Sequence, residues 1–140
     1  MKKAKKLTLE DFIKKATDKH TKRKKVVDID IEGFGLITFK RPSDSDLLDF
    51  KDVLANSVKV TKDEKIDKLD YRQMLEASKE LLYNTCEFLH SKELMEELQC
   101  GEPFDLPVKI FGIDETIELA QKVCEAFEDN KTDIKEHIKN

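Results

Sequence analysis

The histidines and cysteines are the first residues to weigh for chemistry. His20, His90 and His137 fall in three separate segments with no ligand spacing between them. A metal site needs donors that return at short, defined intervals. Cys86, Cys100 and Cys124 are odd in number, widely spaced and form no CxxC pair. That pattern argues against a disulfide framework and against a zinc site. All three lie at or near apolar helical positions, where a free thiol behaves as a small hydrophobe. His90 follows Phe88-Leu89 near a helix end, where its charge would favour the C-terminal dipole. Gly33-Phe34-Gly35 begins like a dinucleotide fingerprint. Its third glycine is missing and no helix opens after it, so it reads as a hairpin turn. No GxSxG, HExxH or phosphate-cradling loop is present. With 30 acidic side chains in the chain, neighbours such as Glu96-Glu97, or Glu125 with Glu128, carry no acid–base argument. The residue types point to a protein that is not an enzyme and needs no cofactor or metal.

The charge has its own pattern. Residues 1–25 hold 11 Lys/Arg against 3 Asp/Glu, a net +8, whereas residues 26–140 hold 15 against 27, a net −12. The run Lys22-Arg23-Lys24-Lys25 could contact phosphate or another anionic surface. It could equally be a solvated connector ahead of the first strand. Only 3 of the 26 basic residues are Arg, and Arg is the residue suited to bidentate readout. No aromatic is interleaved with the run, so it offers no stacking platform for single strands. The basic arm could also fold against an acidic body, its own or a neighbour's.

The elements that would position any site follow from periodicity. Thr8 reads as an N-cap with Asp11 three residues on, and Leu9, Phe12, Ile13 and Ala16 then mark an amphipathic helix. Val27-Asp28-Ile29-Asp30-Ile31-Glu32 alternates strictly, and Leu36 to Lys40 alternates again with Ile37 and Phe39 on one face. This predicts a β-hairpin. Ser43 or Ser45 caps a second helix with Leu47, Leu48, Phe50, Val53 and Leu54 inward. Residues 61–70 carry seven charges and read as an exposed linker. Asp70 opens the strongest helix, whose inner face runs from Met74 through Leu81 and Leu82 to Phe88 and Leu89 over about five turns. Ser91 caps a shorter helix with Leu94, Met95 and Leu98 inward and Gly101 at its C′ position. Pro103 and Pro107 predict extended backbone, and Val108 to Phe111 a short strand. Asp114 caps the last helix, with Ile117, Ala120, Val123, Cys124 and Phe127 inward.

The expected fold is mainly α with a small β-hairpin, an α+β class with about five helices packed on an N-terminal hairpin. Residues 1–25 form a basic arm with a short helix, residues 26–128 a single domain, and residues 129–140 a frayed tail. A chain of 140 residues suits one domain with a real core. The longest apolar run, Leu81-Leu82-Tyr83, is far short of the ~20 residues of a membrane span. The start, Met1-Lys2-Lys3-Ala4-Lys5-Lys6, has no apolar stretch after it, which points to the cytoplasm.

The order of segments resembles the XkdN-like tail assembly chaperones of long-tailed phages and prophages. The likeness rests on three stretches. One is Leu7-Thr8-Leu9-Glu10-Asp11-Phe12 with the Lys-rich segment behind it. The second is the hairpin from Val27 to Lys40. The third is the helical body, with Tyr71-Arg72-Gln73-Met74-Leu75, Leu94-Met95-Glu96-Glu97-Leu98, Gly101-Glu102-Pro103 and the turn Gly112-Ile113-Asp114. Together they cover roughly residues 7–128. The charged segment between the second and third helices departs from relatives that carry a proline there. The resemblance implies a chaperone of the bacterial host cytoplasm, absent from the mature virion. It would hold the tape measure protein soluble while tail tube subunits polymerise around it. Tail tube subunits and self-association are further partners to consider, with no membrane. Phe104, Leu106 and Phe111, apolar residues near a proline-fixed segment, are the candidates for the client surface, unless they cap the core. Competing readings are a nucleic-acid-binding accessory protein using the basic arm, which the net −12 of the remainder opposes, and a structural connector of the phage particle.

Overall fold

The alternation of Val27, Ile29 and Ile31 becomes strand β1 (Val26–Ile31), paired antiparallel with β2 (Gly35–Lys40). The computed structural model describes residues 5–60 and 66–128. Val27 faces Phe39 and Ile29 faces Ile37 across the ladder, so one face is apolar. On the other, Asp28 faces Thr38, whose hydroxyl donates to the Asp28 carboxylate. Gly33 and Gly35 take φ of +87° and +100°, which a residue with a Cβ adopts only under strain.

Six α-helices lie among the described residues: α1 (Leu9–Thr21), α2 (Asp44–Ser57), α3 (Tyr71–Thr85), α4 (Lys92–Glu97), α5 (Leu106–Phe111) and α6 (Ile113–Ala126). The protein is thus mostly helical with an antiparallel hairpin toward its N-terminal side. Short side-chain oxygens open the first four helices, each satisfying an orphan N–H. Thr8 Oγ1 accepts from Asp11 N–H at 3.2 Å, Asp70 Oδ1 from Gln73 at 3.1 Å and Ser91 Oγ from Leu94 at 3.2 Å. Ser43, not Ser45, caps α2, accepting from Asp46 at 3.0 Å.

Helix α3 is the centre of the body, packed between α2 and α6, with α5 against α6. Leu82, Leu106, Ala120 and Val123 are wholly buried, with Phe39 of the hairpin and Phe50 of α2 beside them in one core. Each such Leu or Phe contributes about 1.5–3 kcal/mol by leaving water. Arg41 fastens the hairpin to the rest. Its backbone N–H donates to Lys25 O at 2.7 Å. Nη1 donates to Lys24 O at 2.9 Å and Nη2 to Phe127 O at 3.3 Å, with the guanidinium 5.7 Å from the Phe127 ring centre. Lys79 is a buried cation on α3. Its ammonium donates to Asp105 at 2.9 Å and Glu76 at 3.2 Å. Burial opposes its charge, but those hydrogen bonds and the two negative charges outweigh it, and the pKa is raised above the ordinary lysine value.

The structure departs from the sequence reading in several places. α3 stops at Thr85, and Cys86 is extended at φ −114°, ψ 110°. Asn84, Thr85 and Cys86 are three consecutive poor helix formers. A 3-10 turn over Glu87–His90 follows, which buries Leu89 but turns Phe88 outward. His90 serves that break: its Nε2 lies 2.7 Å from Tyr83 O, in the last turn of α3, and its ring stacks on Tyr83 at 4.0 Å. Leu48, expected inward, is exposed. The segment around Pro103 and Pro107 is helical, not extended. Pro103 opens a 3-10 turn and Pro107 sits in the first turn of α5, where a proline's fixed φ suits a helix start. Val108 to Phe111 therefore belong to a helix and not to a strand, since a short apolar run fits either period. Gly112 at φ +85° precedes α6, and Asp114 lies within its first turn instead of capping it.

The end of α4 is closed by Gln99, not Gly101. Gln99 takes φ +52°. Its N–H donates to Glu96 O at 3.1 Å and that of Cys100 to Met95 O at 2.8 Å, which is a Schellman motif around a non-glycine residue. Within the expected linker of residues 61–70, β4 (Ile66–Leu69) is a strand, paired antiparallel with β3 (Val58–Val60) just ahead of that linker. Residues 61–65 of the linker lie outside the described residues, as does the expected tail at 129–140.

Candidate functional site: an apolar groove

The break after Thr85 borders an apolar cavity. Because α3 stops there and α4 restarts at Lys92, the chain leaves a gap between these two helices, the hairpin tip and α5. A groove of about 630 Å³ occupies it. Its floor is Phe39, Leu82, Leu89 and Leu119 from the core. Leu94 and Leu98 form one wall and Ile110 and Phe111 another. Phe34 reaches over from the hairpin turn and meets Phe111 edge to face, ring centres 5.3 Å apart. Phe88 stands on the rim and is 67% exposed, Phe34 58%.

The polar groups of the lining are committed elsewhere. Ser91 Oγ accepts the capping bond from Leu94. The Lys109 ammonium donates to Leu98 O at 3.3 Å and Gln99 O at 3.4 Å, the carbonyls that α4 leaves at its end. Burial pushes the Cys86 thiol up, against hydrogen bonds from the Phe88 and Leu89 backbone that act the other way, which keeps it from being a ready nucleophile. All three cysteines are free and buried. Among the described residues, no group of three or more His, Cys, Asp and Glu could hold a metal ion, and no helix is long and apolar enough to cross a membrane. The groove can hold apolar side chains, and nothing in its lining converges on a reacting atom.

The three residues expected to meet a client do not sit together. Phe111 lines the groove. Leu106 is wholly buried and is core, the alternative reading given for it. Phe104 is 38% exposed and packs on Tyr83 with ring centres 4.7 Å apart. Phe34 and Phe88 were missed as site residues. Phe34 looked like turn filler, and Phe88 sat on the inward face of a helix that breaks before reaching it. The signal available was Asn84-Thr85-Cys86, a run that weakens helix propensity just ahead of it.

Helix α1 has no place in this core. Leu9, Phe12 and Ile13 are each more than half exposed, and the helix buries none of its residues. Lys22 to Lys25 form the connector from α1 to β1, with Arg23 3.5 Å from Asp44. Neither a family model, nor a curated protein, nor a solved structure matches this chain.

Proposed function

We propose that this chain is a phage tail assembly chaperone that binds the tape measure protein and keeps it soluble in the host cytoplasm. The observation that supports this reading best is the groove: an open apolar trough with exposed Phe34 and Phe88 at its lip. Such a trough accepts the apolar face of an amphipathic helix, whose anchors recur at i, i+3, i+4 and i+7. A long helical client presents many such faces. Covering them removes the aggregating species and stabilises the client by mass action. The acidic body, net −12 over residues 26–140, keeps the complex soluble. The order of segments that resembles the XkdN-like chaperones points the same way.

The test is co-expression with the tape measure protein of the same locus. The reading expects that protein to be soluble only when this chain is present, and the two to co-elute on gel filtration. Unchanged solubility together with no complex, for this chain and for a C-terminally extended form, would refute it.

A further inference from the structure

We propose that α1 lies flat on an anionic lipid surface, with Leu9, Phe12, Ile13 and Ala16 dipping toward the acyl chains and its lysines among the phosphate head groups. At about 100° per residue these four side chains form one stripe along a helix of 13 residues. Leu9 is 75% exposed, Phe12 57% and Ile13 55%, and the helix buries none of its residues. The helix is nonetheless well built. Thr8 caps its start, and Lys19 and His20 stand in its last turn, where a cation favours the dipole.

The charge of the arm says what covers the stripe. Lys15 and Lys19 border it on one side and Glu10 on the other, and His20 continues it in the last turn. Asp11 and Asp18 lie on roughly the opposite side of the helix. Lys5 and Lys6 precede α1, and Lys22, Lys24 and Lys25 follow it, all five exposed. Residues 1–25 together carry +8. Positive charge therefore extends past both ends of the stripe, which suits a plane of negative charge. Interfacial helices share this design: an apolar side, basic residues beside it and low overall hydrophobicity. A nucleic acid would engage the lysines but leave Phe12 and Ile13 in water. Arginine would also serve it better, and the single Arg among residues 1–25 is Arg23, which pairs with Asp44.

The acidic body does not oppose this placement. α1 is about 20 Å long, whereas charge repulsion fades over about 8 Å in physiological salt. Arg41 holds the carbonyls of Lys24 and Lys25, so the body begins only after the helix has ended. No helix among the described residues is long and apolar enough to cross a membrane, and a helix lying in the interface has no need to span.

The test is co-sedimentation of the full chain with vesicles of equal parts phosphatidylglycerol and phosphatidylcholine, compared with phosphatidylcholine alone. It involves no client and stands apart from the groove. Wild type should bind the anionic vesicles, leave the neutral ones and come off as salt rises. Phe12→Glu/Ile13→Glu should weaken binding at least about tenfold. Lys22→Gln/Lys24→Gln/Lys25→Gln should weaken it about 100-fold, from a factor of about 5 per lysine. All five positions are exposed, so circular dichroism should match wild type. Phe88→Ser, at the groove lip, should bind as wild type does. A wild type that ignores anionic vesicles at low salt overturns the proposal. So does equal binding to neutral vesicles, or binding that the Phe12→Glu/Ile13→Glu variant leaves unchanged. Loss of binding in Phe88→Ser puts the groove on the lipid in place of α1 and overturns it. Retention of duplex DNA with no vesicle binding makes the arm a nucleic-acid contact and overturns it as well.

Discussion

Replacing Phe88 by Ser separates the groove's binding role from the stability of the fold. Phe88 is 67% exposed. Burying a whole Phe side chain contributes about 1.5–3 kcal/mol, so covering the exposed two-thirds with a client contributes about 1–2 kcal/mol. At 1.4 kcal/mol per decade, the client dissociation constant should rise about 5- to 30-fold. The fold should barely notice, since an exposed substitution changes stability by about 0.5 kcal/mol or less. Leu82→Ala is the contrast. That side chain is wholly buried in the groove floor, and its truncation should cost about 2–5 kcal/mol. The assay is fluorescence anisotropy of labelled amphipathic segments of the tape measure protein, with urea unfolding of each variant in parallel. Unchanged affinity in a folded Phe88→Ser variant would refute the groove as the client site. A loss of stability matching that of Leu82→Ala would refute the assignment of Phe88 to the rim.

Three further outcomes are expected. Gln99→Gly should stabilise by about 0.5–1 kcal/mol, because it relieves a left-handed residue at a helix end at the cost of added chain freedom; a higher urea midpoint at unchanged slope checks it. Lys79 has a pKa raised by its two acidic partners despite burial. Its stabilisation is complete below the unfolded value of 10.5 and lost as pH rises through the higher folded value, so wild type should lose stability above that pH and Lys79→Met should lack this dependence; identical alkaline profiles would refute the pairing. Arg41→Lys should cost about 1.5 kcal/mol, because a single ammonium cannot serve Lys24 O and Phe127 O with the geometry of a planar fork; thermal unfolding measures it.

The sequence was most legible where one residue type answers one local need. Thr8, Asp70 and Ser91 could be named as caps because an orphan N–H three residues on has few other partners. The first hairpin could be registered because alternation leaves one apolar face. What stayed hidden depended on contacts across the chain. Phe88 continues the helical period of Leu81 and Leu82, and its outward turn follows from a break at Cys86, just ahead of which His90 meets the carbonyl of Tyr83. Pro103 and Pro107 read as extended because proline excludes helix interiors, whereas both here sit at starts. Gln99 holds the left-handed position that Gly101 was expected to take, because Cys100 reaches back to Met95 only in that register. The second hairpin was masked by the charge of its surroundings, although Val58-Lys59-Val60 alternates. The groove follows from those same hidden features, so only Phe111 of its lining was named in advance as a contact residue.

The fork of Arg41 has a topological consequence. One guanidinium grips Lys24 at the entrance of the body and Phe127 at its exit, so these two points are neighbours in space. The body is therefore nearly a closed ring whose natural opening is incidental to its packing. A short bridge from residue 128 to residue 24, with new ends cut at the Gly33 turn, should give a circular permutant with the same core. Such a permutant would carry no α1, and the groove could then be studied without the basic N-terminal arm.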